Sequence, residues 1–238
     1  MFKPTLKVSL ADRISNILRQ EILSNDISDG TLLNENELAS RFGISRGPVR
    51  EALRTLEIEG FVKSLPNGRT EASGFTAEDM QYYYNIRYFI ESESIKIILS
   101  KPRDHDYDMW IEHLEGILNE SKQYINYTNQ DRFSELDCEF HMSFLLRADI
   151  KIYIMLWRIL NNINKSIMEV NRNHILNQCI PDPNATFVFH DSILNGLKRH
   201  DLDYTLSNLQ THLKNGSIVY ADIINTVTDL HSEVSSEN

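Results

Sequence analysis

From Leu10 the apolar positions Leu10, Ile14, Ile17, Leu18 and Ile22 recur every three or four residues, with Arg19, Gln20 and Glu21 between them. This spacing predicts an amphipathic helix over LADRISNILRQEILSN, ended by the turn signal Asp29-Gly30. A short connection, TLLN, leads to ENELASRFG, where Asn34 can cap and Gly43 can end a helix of about two turns. Ser45 then stands at a cap position, and a further helix is predicted from about Arg46 to Gly60, with Val49, Ala52, Leu53 and Leu56 on one face. Two short helices joined by a tight glycine turn make a helix-turn-helix. After Gly60 the pattern changes to FVKSLPNGRTEASGF, two short runs around Pro66-Asn67-Gly68 that read as a small hairpin, the wing.

From about Thr76 to His231 the periodicity is almost entirely helical. It predicts helices near 77–99, 104–125, 129–147, 150–175, 186–199 and 202–229, broken at Pro102, within CIPDPNAT and at His200-Asp201. The polar tail SEVSSEN is expected to be disordered. The fold class is therefore mainly α. An N-terminal winged helix-turn-helix of three helices and a β-hairpin occupies residues 1–75, and an all-α antiparallel helical bundle occupies 76–238.

Composition adds that the 238 residues, 41% hydrophobic, suffice for a sizeable core in two domains. The longest apolar runs, such as IYIMLW, fall far short of the roughly 18 to 20 residues a membrane span needs. The N-terminus lacks a secretion signal, so the expected location is cytoplasmic, with no membrane partner. Cys138 and Cys179 lie far apart and read as reduced thiols. The net charge of -10 argues against nucleic acid until its distribution is examined. Residues 1–75 carry ten basic and ten acidic side chains, so the deficit belongs to the remainder. Between Arg41 and Arg69 six basic residues face three acidic ones, a local excess suited to a polyanion.

That excess includes Arg46, Arg50 and Arg54, four residues apart and so on one helix face. They are either a solvated face paired with Glu51, Glu57 and Glu59, or the base-reading side of a recognition helix, which presents its N-terminal half to the major groove. The stretch ELASRFGISRGPVREALRTLEIEGFV closely resembles the DNA-binding signature of the GntR superfamily of bacterial transcription regulators, with similarity running from about Leu10 to Phe75. The resemblance implies that Arg46 and Arg50 contact bases or phosphates, that Ser45 and Gly47 approach the DNA backbone, and that Gly68 at the wing tip approaches the minor groove. Asn36 stands where some members place an arginine, and Gly47 where many have threonine.

In the second half, Asp137 and His141 stand at i and i+4 on one predicted face, and His190 and His212 fall within later helices. Three imidazoles and a carboxylate meeting in a bundle would suit Zn, Ni, Mn or Fe. On spacing alone the preferred reading of these histidines is as ordinary core or surface residues. This half resembles the effector domain of the FadR C-terminal type, FCD, in its metal-binding branch, whose pattern is Asp-x-x-x-His and two later histidines. The resemblance implies a divalent metal cofactor at Asp137, His141, His190 and His212, with Zn expected as purified, and a small carboxylate effector paired with Arg87. The other reading of Arg87 is an ion pair with Glu91 at i+4. Asn161 and Asn164 are candidates to line the same cavity, from bundle geometry. His105, His113, His174, His200 and His231 are expected at the surface.

The expected function is a ligand-responsive, DNA-binding transcription regulator, a repressor, whose bundle binds a metal ion and a small organic acid. A homodimer follows from the symmetry of pseudo-palindromic operators on double-stranded DNA. The alternatives are the same DNA-binding protein with a structural metal and no effector, or a metal-dependent hydrolase, for which no HExxH or phosphate loop is present. No catalytic residue is assigned.

Overall fold

In the computed structural model, residues 9–124, 130–178 and 184–218 are described. Cys179, His231, the predicted helix beyond 218 and the polar tail lie outside them, as does the side chain of His174. The chain separates into two compact units, one ending at Thr76 and the other starting at Ala77.

The first unit begins with α1, Leu10–Leu23, entered through a capping box in which the Ser9 hydroxyl accepts from the Asp12 amide and the Asp12 carboxylate accepts from that of Ser9. Its buried Ile14, Leu18 and Ile22 pack it on α3, Arg46–Ile58, through Val49, Ala52, Leu53 and Leu56. Between them α2, Glu35–Phe42, is capped by the Asn34 side chain and ends at Gly43. Gly43 has φ of 65°, the left-handed region in which a side chain is strained, which turns the chain directly into α3. Buried Arg19 donates from Nε and Nη2 to Glu59 Oε2 at 2.8 and 2.6 Å, tying α1 to the end of α3.

The wing comprises β2, Val62–Ser64, and β3, Thr70–Ala72, antiparallel and joined through Gly68, whose φ is 76°. The connection TLLN contributes a strand the sequence reading did not anticipate, β1, Leu32–Leu33, paired with the outer side of β3.

The second unit is helical throughout its described residues: α4 Ala77–Leu99, α5 His105–Ser121, α6 Gln130–Ala148, α7 Lys151–Gln178, α8 Asn184–Lys198, and α9 over 202–218. The helix predicted over 104–125 stops at Ser121 and continues as one 3-10 turn, Lys122–Tyr124. α6 packs against α4, α5 and α7, and α5 against α8. The core between them is aromatic, with Phe140, Phe144, Tyr107 and Trp157 fully buried. α8 and α9 approach closely at Gly196, where a β-carbon would stand 2.3 Å from Thr205 Oγ1. Among the described residues no helix is long and apolar enough to cross a membrane.

Candidate nucleic-acid interface and metal centre

Each unit carries one candidate site. In the first, Arg46, Arg50 and Arg54 all reach solvent, while the opposite face of α3 is buried. They are not laced to acids of their own helix as the surface reading supposed. Glu59 is taken by Arg19, and Glu57 accepts from the Ser64 amide at 3.1 Å. Arg50 instead donates to Glu35 at the start of α2, and Arg46 Nη1 reaches Asn36 Oδ1 at 3.4 Å. The Arg50 hydrogen bond holds the Glu35 carboxyl below its ordinary value, with Arg46 and Arg54 adding to the pull. Ser45 caps α3 in extended conformation without a side-chain hydrogen bond, and its side chain is exposed. Gly47 has open space where a side chain would begin, and Gly68 is exposed at the wing tip. Asn36, Ser45, Arg46, Gly47 and Arg50 thus sit around the junction of α2 and α3.

In the second unit the helices converge on a buried polar cluster. α4 supplies Arg87 and Glu91 one turn apart, α6 supplies Asp137 and His141 one turn apart, α8 supplies His190 and α9 supplies His212. Along one stripe of α7 lie Trp157, Asn161 and Asn164. The ligand-capable atoms of Asp137, His141, His190 and His212 all lie within 4.8 Å of one another. The three Nε2 atoms form a triangle with sides of 3.1, 3.2 and 3.2 Å. Asp137 Oδ1 is 3.4 Å from His190 Nε2 and 3.9 Å from His141 Nε2.

A triangle of three imidazole nitrogens cannot be satisfied by hydrogen bonds alone. Each nitrogen carries either one hydrogen or one lone pair, so at least one pair of like groups must face each other. Ligands about 2.0–2.1 Å from a common ion are themselves roughly 3 Å apart, which is the spacing present. The donor set therefore fits a divalent metal ion. The protonation states fit as well. His141 Nδ1 lies 2.6 Å from Glu91 Oε2, so that nitrogen carries the hydrogen and Nε2 presents its lone pair to the cluster. Burial drives the His190 imidazole down to about 3 and that of His212 well below its usual value, so both rings are neutral and able to coordinate. Burial would raise the Asp137 carboxyl, yet it lies below its ordinary value; with the rings neutral, the nearby Arg87 and the hydrogen bond from Asn164 Nδ2 favour its ionised form.

Glu91 is a site residue that sequence reasoning saw only as a possible partner of Arg87. It accepts from Arg87 Nε at 2.9 Å through one oxygen and holds His141 with the other. Of the two readings of Arg87, the ion pair with Glu91 is present, yet it does not use the whole guanidinium. Nη1 donates to Asn164 Oδ1 at 2.7 Å, and the guanidinium lies 4.9 Å over the Trp157 ring. Nη2 is buried and has no hydrogen-bond partner. Asn164 is fully engaged, since its Nδ2 also donates to Asp137 Oδ2 at 3.1 Å, so it links Arg87 to the candidate metal ligands. Asn161 keeps a buried, unpartnered Oδ1. His105 and His113 are exposed, and His200 is half-buried with its ring against the Lys101 carbonyl.

Comparison with known proteins follows this division. Residues 10–71 match the bacterial regulatory proteins, gntR family. The gluconate operon transcriptional repressor of Bacillus subtilis is 26% identical over 224 residues, spanning 94% of this chain and 87% of the relative. The HTH-type transcriptional repressor RspR of Escherichia coli is 26% identical over 230 residues, 97% and 96% of the two chains. Among solved structures, E. coli McbR/YncC superposes with a TM-score of 0.62 at 18% identity, covering 91% of this chain and 99% of that one, a likeness of fold.

Proposed function

We propose that this chain, whose residues 10–71 match the gntR family of bacterial regulatory proteins, is a ligand-responsive transcription repressor of the GntR type acting as a homodimer in the cytoplasm. Residues 1–75 read the operator, with Arg46 and Arg50 as the contacts to bases or phosphates, Ser45 and Gly47 against the DNA backbone, and Gly68 in the minor groove. Asn36 borders the same surface. Residues 76–238 form an FCD-type domain that binds a divalent metal ion and a small organic acid.

The observation that carries the effector reading is the pair of buried, unpartnered polar atoms, Arg87 Nη2 and Asn161 Oδ1. Leaving a buried donor and acceptor unpaired is unfavourable, so their partner is a molecule that brings both an acceptor and a donor. A carboxylate meets the guanidinium and a hydroxyl meets the amide oxygen. Charge points the same way. Arg87, Glu91 and Asp137 sum to one negative charge in a buried site, a divalent ion turns this into one positive, and a monocarboxylate neutralises it. Asp137, His141, His190 and His212 would hold the ion, with Zn, Ni, Mn and Fe all compatible and Zn expected as purified. When bound, it supplies a positive centre for the acid's oxygens. The similar B. subtilis repressor is named for an operon of one such acid, gluconate.

The sequence places no HExxH motif or phosphate loop beside the four ligand-bearing residues, and this favours a regulator over a hydrolase. Homodimerisation is supported by an exposed apolar stripe on α7, Ile152, Met155, Leu156 and Ile159, beside exposed Tyr82, Ile86 and Phe89 of α4. Metal analysis of the purified chain, followed by thermal-shift measurements with gluconate and shorter hydroxy acids against unhydroxylated acids of equal length, tests the effector site. Hydroxy acids should raise the melting temperature only in metal-loaded protein and should lower its affinity for operator DNA, since coupling between two ligands is reciprocal. Indifference of both quantities to every acid would make the metal structural and remove the switch.

A further inference from the structure

The guanidinium of Arg50 offers two edges for bidentate bonding. Only one is used among the described residues. Nε donates to Glu35 Oε1 and Nη2 to Glu35 Oε2, both at 2.8 Å, a side-on pair that leaves Nη1 without a hydrogen bond among the described residues. Arg50 remains half exposed, at 52%, so the Nη1–Nη2 edge is open to solvent. That edge has the geometry for the O6 and N7 atoms of a guanine. The carboxylate is itself fixed. Glu35 is the first residue of α2, directly after its Asn34 cap, where a helix N-terminus favours a negative charge. Its neighbour Asn36 accepts from Arg46 Nη1 at 3.4 Å from the same turn.

We propose that Glu35 is a positioning residue for sequence reading: it clamps the inner edge of Arg50 and aims the outer edge at a base. The proposal rests on the assignment of Arg50 as a base contact. A glutamate beside DNA otherwise only repels phosphates, and the two roles predict opposite results. If Glu35 acts by charge alone, its neutralisation tightens binding to all DNA equally. If it positions Arg50, neutralisation loosens the arginine and erodes discrimination between sequences.

The test uses the full-length protein, a duplex that it selects from a randomised pool, and a scrambled duplex of the same composition. Glu35→Gln should lower the ratio of selected to scrambled affinity about tenfold, while affinity for the scrambled duplex stays level or rises. Glu35→Asp, which keeps the charge but shortens the reach, should also lower the ratio. Arg50→Ala should lower it at least as far, and adding Glu35→Gln to Arg50→Ala should cause no further loss. A ratio unchanged in Glu35→Gln while Arg50→Ala lowers it overturns the clamp alone. A ratio unchanged in Arg50→Ala removes the base contact, and the clamp with it. The pair is solvent-exposed, so circular dichroism and melting temperature should match the parent protein in every variant.

Discussion

Glu91 joins the two chemistries of the bundle site, because one oxygen serves Arg87 and the other fixes the ring of His141. Burial by itself would raise its carboxyl, yet His141 and Arg87 together hold it below the ordinary value, so it stays ionised without water. A carboxylate behind a coordinating imidazole sets the tautomer and makes the facing nitrogen more basic. Glu91→Gln preserves the shape and one acceptor but removes the charge. It should weaken metal binding by about 10- to 100-fold, measured by competition against a chelator of known affinity. It should also loosen Arg87, whose other buried partner is the neutral Asn164. An unaltered metal affinity would mean that His141 is oriented by its aromatic neighbours Phe140, Phe144 and Trp157 instead.

At the scale of elements, the site depends on how closely α8 and α9 approach, since each brings one histidine. Gly196 makes that approach possible: a β-carbon there would be 2.3 Å from Thr205 Oγ1 and 3.0 Å from its Cα. Thr205 is fully buried and its hydroxyl is committed to the Asp201 carbonyl at 2.5 Å, so it cannot move aside freely. Gly196→Ala should therefore destabilise the protein by about 1–3 kcal/mol, read from chemical denaturation, despite the better helix propensity of alanine. Elements of this kind were largely legible beforehand. The helix predicted over 77–99 is α4 from Ala77 to Leu99, because Met80, Tyr83, Tyr84, Ile90, Ile95 and Ile98 recur at helical spacing, interrupted by Arg87 and Glu91, before Pro102. Asn34 and Gly43 announced α2 by cap chemistry that is local in sequence. The two-residue strand Leu32–Leu33 was not legible, since its length carries no alternation and its pairing is set by β3 some 40 residues on. The same distance rule governs side chains. The Arg87 to Glu91 pair could be foreseen from one helix turn, but the bond from Glu91 to His141 spans 50 residues and that from Arg50 to Glu35 crosses between two helices. Spacing could place Asp137 beside His141. It could not bring His190 and His212 to the same point, for which resemblance to a family was needed.

For the whole molecule, one winged helix presents a short recognition surface, and symmetric pairing doubles it. The surface we propose for the second copy lies on the bundle. Ile152, Met155, Leu156 and Ile159 repeat at three, one and three residues along α7, and Tyr82, Ile86 and Phe89 repeat at four and three along α4, all of them exposed. The two stripes meet where the Phe89 and Tyr153 rings pack edge to face at 6.2 Å. Seven large apolar side chains, each about half exposed, amount to on the order of 600 Å², near the roughly 800 Å² that each partner contributes to a standard interface. A patch of that size is at the upper end of the roughly 300–600 Å² that the largest apolar patch on a monomer covers. Placing a charge at its centre should prevent pairing without touching the polar site, whose residues face the bundle interior. Phe89→Glu and Met155→Glu should each run as monomers in sedimentation at concentrations where the parent chain is a dimer, with metal content unchanged. Operator affinity should fall steeply while affinity for a single half-site stays close to that of the parent protein. A dimer that survives both substitutions would move the interface to another face of the bundle.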